Sequence, residues 1–316
     1  MTEMKTTPDR NDASSARQRR EIIGTRTEQA IADLLNQLAQ PGSSLLPTLT
    51  LMSRFRRYSL SNQLLILAQC PHATDVRGYR AWQRAGRQVR KGEHGIAIWA
   101  PIARRPDAAS NAIATRPTLL VPGDTHPTNA TPVETDADSR PRFRIAYLWD
   151  ISSCEPVPTK ASPATVPSIL ATSALPDTTA AHLATLTAVI APRFPIAVLP
   201  LRSSLYGYTD GQSITLNAHH DIATRCATLV HEYTHACLHF AAERPDLTTR
   251  ETEAEGVAFI VCQALGIPVP TSIDYIRAYR GTPTTLRDSL IRIRELANAL
   301  LQALLPRDGA VSAEPD

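Results

Sequence analysis

Thr228-Leu229-Val230-His231-Glu232-Tyr233-Thr234-His235-Ala236-Cys237-Leu238-His239-Phe240 is the stretch from which the rest of the chain is read. It lies in an apolar-periodic run that predicts a long helix over about 222–242. Positions i and i+4 share one helical face a turn apart, so the rings of His231 and His235 can hold one tetrahedral Zn²⁺ between them. Glu232 then sits beside the open coordination position, where it can take a proton from an activated water. The competing reading, two solvated histidines on a surface helix, is weakened because Thr228, Leu229 and Val230 bury this stretch.

A third ligand is needed, and the next predicted helix, over about 248–265, offers Glu251, Glu253 and Glu255. At about 100° per residue, the apolar positions of that helix centre about 70° from Glu253, about 90° from Glu251 and about 130° from Glu255. Glu253 is therefore expected as the third ligand, with Glu251 the next choice and Glu255 facing solvent or steadying the site from behind. His239 stands one turn beyond His235 and is expected to support or pack rather than ligate. Cys226, Cys237 and Cys262 read as small buried residues. Tyr206 and Tyr208, in a strand segment before the active helix, either polarise a substrate carbonyl or pack as ordinary strand residues.

Upstream the chemistry changes. Between Arg54 and Arg105 stand eleven arginines and lysines, opposed only by Asp75 and Glu93, whereas residues 181–316 carry eleven basic and fourteen acidic groups. The formal net charge of +3 conceals this asymmetry, and the basic half suits a polyanion. Phe55, Tyr58, Tyr79, Trp82 and Trp99 interleave with those cations, the combination with which single-strand binders stack bases and meet phosphates. The alternative is a solvated basic face with Trp82 and Trp99 in a small core.

The 316 residues are enough for two domains. No stretch approaches the ~18 unbroken apolar residues of a membrane helix, and the polar, charged start does not read as a secretory signal. Five scattered cysteines without a CxxC pair make neither a disulfide framework nor a thiolate zinc knuckle. A cytoplasmic α+β protein is expected, without membrane contact.

Residues 1–20 lack apolar periodicity and are expected to be a disordered tail. Residues 21–155 form the basic domain, with helices over about 21–40, 60–68 and 78–86. A hairpin is expected to join Gln88-Val89 to Ile96–Trp99 across Gly92 and Gly95. A loose insertion is expected over 103–141, after which 143–151 returns to strand character. A Pro/Thr/Ser/Ala tract, 156–178, is the expected linker. The metal domain occupies 179–305, with short strands near 196–200, 207–209 and 213–216, and closing helices near 272–280 and 284–305. A tail follows over 306–316.

The segments YSLSNQLLILAQCPHATDVRGYRAWQRAGRQVRKGEHGIAIWAP (58–101), YLWDISSCEP (147–156), TLVHEYTHACLHF (228–240), RETEAEGVAFIVCQALGI (250–267) and DYIRAY (274–279) together resemble ArdC-type plasmid antirestriction proteins. The resemblance implies a single-stranded-DNA-binding domain fused to a zincin-like metallopeptidase domain, in a protein that shields incoming plasmid or phage DNA from restriction. It also implies His231 and His235 as zinc ligands, Glu232 as catalytic base and Glu253 as a gluzincin-like third ligand. Asn62, Trp82, Arg87, Arg90 and Lys91 stand at family-like positions of the DNA-binding part. An alternative is a zinc-dependent regulatory or DNA-repair protease, with the basic domain serving to target it. A purely structural zinc is disfavoured, because three protein ligands leave a coordination position open.

Overall fold

The computed structural model describes residues 10–102, 143–157, 178–268 and 281–305. The expected insertion, most of the expected linker, the helix near 272–280 with its DYIRAY segment, residues 1–9 of the expected N-terminal tail and the whole expected tail 306–316 lie outside the described residues.

Helix α1 (Arg10–Leu38) starts well before residue 21, in a segment of helix-forming arginines, alanines and glutamine that carries no apolar stripe. Helix α2 (Leu46–Arg54), which the sequence reading did not expect, keeps its proline in the first turn, where no N–H is required. Helix α3 (Leu60–Gln69) is capped by Ser59, which accepts the Asn62 N–H.

Three short elements follow: β1 (Val76–Arg77), α4 (Tyr79–Arg84) and β2 (Arg87–Val89). The expected hairpin between β2 and β3 (Ile96–Pro101) does not form. Instead β2 pairs antiparallel with β5 (Cys154–Pro156), and the Arg90 N–H extends that ladder to the Ser153 carbonyl at 3.0 Å. Gly92, at φ 91°, turns the chain away from β2. Strand β3 pairs antiparallel with β4 (Phe143–Asp150), which also pairs with β1, so β4 is the centre of a three-stranded sheet.

The C-terminal half opens with α5 (Thr178–Ile190). A second sheet has β8 (Ile214–Asn217) between β6 (Ile196–Leu199), parallel to it, and β7 (Gly207–Thr209), antiparallel to it. Helices α6 (Ile222–Leu238), α7 (Leu247–Leu265) and α8 (Pro283–Leu304) complete the described chain.

Two hydrophobic cores organise these elements. The smaller one joins Leu51, Phe55, Ile66 and Leu67 to Ile96, Ile98 and Leu148 of the first sheet. The larger one joins Leu49, Met52 and Leu64 to Leu216, Leu229, Val257, Ile260 and Leu290. Helices α2 and α3 thus each present residues to both cores. The halves on either side of the expected 156–178 boundary share the larger core. Helix α8 adds polar ties, with Arg294 Nε donating to the Tyr58 carbonyl and Asn298 Nδ2 to that of Arg56.

Candidate metal centre and basic face

Helix α6 starts at Asp221, whose carboxylate accepts the Thr224 N–H at 2.7 Å, and α7 starts at Asp246, which accepts the Thr249 N–H at 3.0 Å. These caps satisfy orphan donors of each first turn and fix where the helical faces begin. Leu229 and Val230 on α6, with Val257 and Val261 on α7, are fully buried. Their burial sets the rotation of both helices and brings His231 and His235 to the rim of their contact.

There the Nε2 atoms of His231 and His235 stand 3.0 Å apart. The Glu251 carboxylate lies 3.5 Å from His231 Nε2 and 3.6 Å from His235 Nε2. Among the described residues these three form the one His/Cys/Asp/Glu group whose donor atoms all lie within 4.8 Å of one another. Ligands of a tetrahedral cation at about 2.0–2.1 Å stand roughly 3.3 Å from each other, so this donor set fits.

The expected third ligand, Glu253, is not in this group. Its side chain is 0 % exposed and faces away from His231: one oxygen lies 3.1 Å from His239 Nε2, and the other accepts from Ser289 Oγ at 2.8 Å and Arg292 Nε at 3.0 Å. The reason is that α7 is covered by α8 as well as by α6. Its apolar centre therefore averages two contacts, and the residue nearest that centre meets α8, while Glu251 at the edge meets the histidines.

Each histidine's other ring nitrogen is engaged. His231 Nδ1 lies 3.4 Å from Glu255, which supports the site rather than facing solvent. His235 Nδ1 lies 2.8 Å from His239 Nδ1, and the His239 side chain is almost fully buried.

Charge follows this geometry. Burial pulls the His231 imidazole down, yet Glu251 and Glu255 outweigh it and hold its pKa up at about 10. The neighbouring His231 ring, and after it the His235 ring, holds the Glu251 carboxylate far below the usual carboxylate range. Burial pushes Glu232 up, partly offset by the two histidines. Burial would also raise Glu253, but its bonds to His239, Arg292 and Ser289 outweigh that and hold it low.

Strand β7 runs against Glu232. A methyl group on Gly207 would stand 2.7 Å from Thr228 Cγ2, 2.8 Å from the Thr215 carbonyl oxygen and 3.5 Å from Glu232 Cγ. Tyr206 and Tyr208 flank it with exposed rings, and Tyr206 stacks on His220 at 4.3 Å.

The basic half departs from expectation at two residues. Trp82 is 0 % exposed, its Nε1 donating to the Trp149 carbonyl at 2.8 Å, so its ring cannot stack a base. Asn62 is 7 % exposed, and its amide both donates to the Trp99 carbonyl and accepts the Trp99 N–H, pinning β3 to α3. Both hold the scaffold. Arg87 donates to the Cys154 carbonyl, Arg90 pairs with Glu93 and donates to the Ser152 carbonyl, and Lys91 is exposed at the turn. Arg90 and Lys91 line a cleft of about 520 Å³ with Tyr79, Gln88, Glu93 and Trp149. Tyr79, 48 % exposed, meets Trp149 edge to face at 6.1 Å. Trp149 was missed because its segment reads as strand, and only the pairing of β4 with β1 brings it beside Tyr79.

All five cysteines are free. Among the described residues no helix is long and apolar enough to cross a membrane.

Residues 19–135 match the family described as the N-terminal domain of anti-restriction factor ArdC. The chain is also similar to two crystal structures of the Antirestriction ArdC protein from R388 plasmid, each covering 78 % of this chain and 83 % of the other. Identity and TM-score are 16 % and 0.45 for the Mn(II)-bound structure, and 19 % and 0.44 for the metal-free one. No curated protein matches the chain.

Proposed function

We propose that this chain, whose residues 19–135 match the N-terminal domain of anti-restriction factor ArdC, is an antirestriction protein in which a single-strand-binding face is joined to a zinc peptidase centre. The observation that carries the catalytic half is the His231–His235–Glu251 cluster, whose spacing fits one four-coordinate cation. Two imidazoles and one carboxylate favour zinc over manganese, which binds nitrogen ligands more weakly. Bound there, the cation supplies a Lewis acid and makes water acidic enough to ionise near neutral pH. Glu232 is the base: burial raises its proton affinity, which suits a group that takes a proton from water and returns it to the leaving amine. Glu255 holds His231 from behind. Strand β7 is an edge of its sheet beside Glu232 and offers backbone groups for an extended peptide to pair with.

Metal analysis tests this half. The purified protein is expected to carry one zinc, and Glu251→Gln or His231→Ala to lose it, while Glu232→Gln keeps the metal and loses hydrolysis of an unfolded protein substrate. A Glu251→Gln protein that keeps its full zinc would refute the ligand assignment.

For the basic half, the cleft bounded by Tyr79, Trp149 and Lys91 supports binding of unpaired bases beside phosphates. Tyr79→Ala is expected to weaken single-stranded oligonucleotide binding about 5- to 100-fold, with little change for duplex. Equal binding by the variant would remove the cleft from the interface. Free thiols and the absence of a membrane-crossing helix among the described residues are compatible with work in the cytoplasm. In the second reading, a protease targeted to DNA, the same centre is the purpose of the molecule. Glu232→Gln separates the two: DNA protection that survives the substitution favours the first.

A further inference from the structure

His235 is held at both ring nitrogens. Nε2 faces the cation position and Nδ1 lies 2.8 Å from His239 Nδ1. His239 in turn places Nε2 3.1 Å from Glu253, whose other oxygen takes bonds from Ser289 Oγ and Arg292 Nε. The hydrogens along this line follow from one end. A carboxylate bonded to a guanidinium has no proton to donate, so the hydrogen between Glu253 and His239 belongs to His239 Nε2. A neutral imidazole protonated at Nε2 has a bare Nδ1, which can only accept. The hydrogen in the 2.8 Å contact therefore comes from His235 Nδ1, and the His235 Nε2 lone pair is left facing Glu251 and His231.

Resting on the metal-centre reading above, we propose that His239, Glu253 and Arg292 are positioning residues that lock His235 in its metal-binding tautomer and anchor it to α8. Packing alone does not account for them. His239 is 2 % exposed and Glu253 0 %, and burying a carboxylate is costly unless its bonds are used. The two centre histidines are held by different devices, His231 by the Glu255 carboxylate directly and His235 through a second imidazole. Outer partners of this kind change metal affinity about 10- to 100-fold when removed.

The test compares zinc dissociation constants of the full chain, by competition with a chromophoric chelator, for wild type, His239→Leu and His239→Asn. The asparagine carboxamide can place an acceptor oxygen where His239 Nδ1 lies; leucine cannot. His239→Leu is expected to bind zinc about 10- to 100-fold more weakly, with His239→Asn recovering most of the loss. Wild-type affinity in His239→Leu overturns the proposal. Nitrogen-15 NMR of the metal-free wild type gives a second readout that needs no variant to fold: His235 protonated at Nδ1 supports the relay, and His235 protonated at Nε2 overturns it. A wild type that binds no zinc defeats the metal-centre reading, while the tautomer measurement still decides the relay.

Discussion

Without bound metal, the stability of the protein is expected to depend on pH through His231. Its folded value of about 10 lies above the ordinary 6.5, so its contribution to stability is full below about pH 6.5 and fades as pH rises through 10. Glu251 is shifted the opposite way, so its contribution is present above the ordinary carboxylate value of 4.5 and is lost as pH falls below it. The melting temperature of the metal-free protein is expected to be highest between those limits and to fall from pH 7 to 10. His231→Ala should flatten the fall; an unchanged slope would show that the cluster does not hold that proton. Gly207→Ala is a second residue-scale expectation. The added methyl meets a backbone oxygen at 2.8 Å, which cannot swing aside as a side-chain tip can, so a loss of about 1–3 kcal/mol is expected in urea unfolding. At this scale, His231 and His235 were legible from spacing as neighbours in one donor cluster. Glu251 was not, because helical arithmetic on one helix locates its buried side and is silent on which neighbour lies there.

At the scale of elements, the caps carry measurable stability. Asp221 is exposed and its carboxylate satisfies the start of α6, so Asp221→Ala is expected to cost about 1 kcal/mol in urea unfolding while leaving the metal stoichiometry intact. A loss of zinc in that variant would mean that the start of α6, and not only its packing, positions the histidines. Helices with strong periodicity and clear stops, such as α3 and α7, were readable with their ends nearly in place. Helix α2 was not, because its proline and threonines mask a short apolar stripe. The hairpin expectation failed for a different reason. Alternation marks β2 and β3 as strands but carries no information on partners, and both found theirs beyond residue 142.

At the scale of the molecule, Leu49 is the informative position. It belongs to α2 in the basic half, yet it is fully buried in the core that carries α6 and α7. Leu49→Ala is expected to cost about 2–5 kcal/mol and to reduce hydrogen-exchange protection of α7 amides as well as α2 amides. Calorimetry should show a single transition, and two independent ones would separate the halves. Sequence composition pointed to a division because charge and motif change sharply along the chain. Packing did not follow that change, since apolar residues of α2 and α3 look alike whichever core they serve.

The wall formed by α2 and α3 has an evolutionary corollary. Genes of two-part proteins are often rearranged by trading one part for a foreign counterpart at the joint. Here such a cut would strip the lining from whichever piece was kept, so a hybrid would inherit an exposed oily flank unless those two helices travelled with the histidine-bearing helix as well as with the basic sheet.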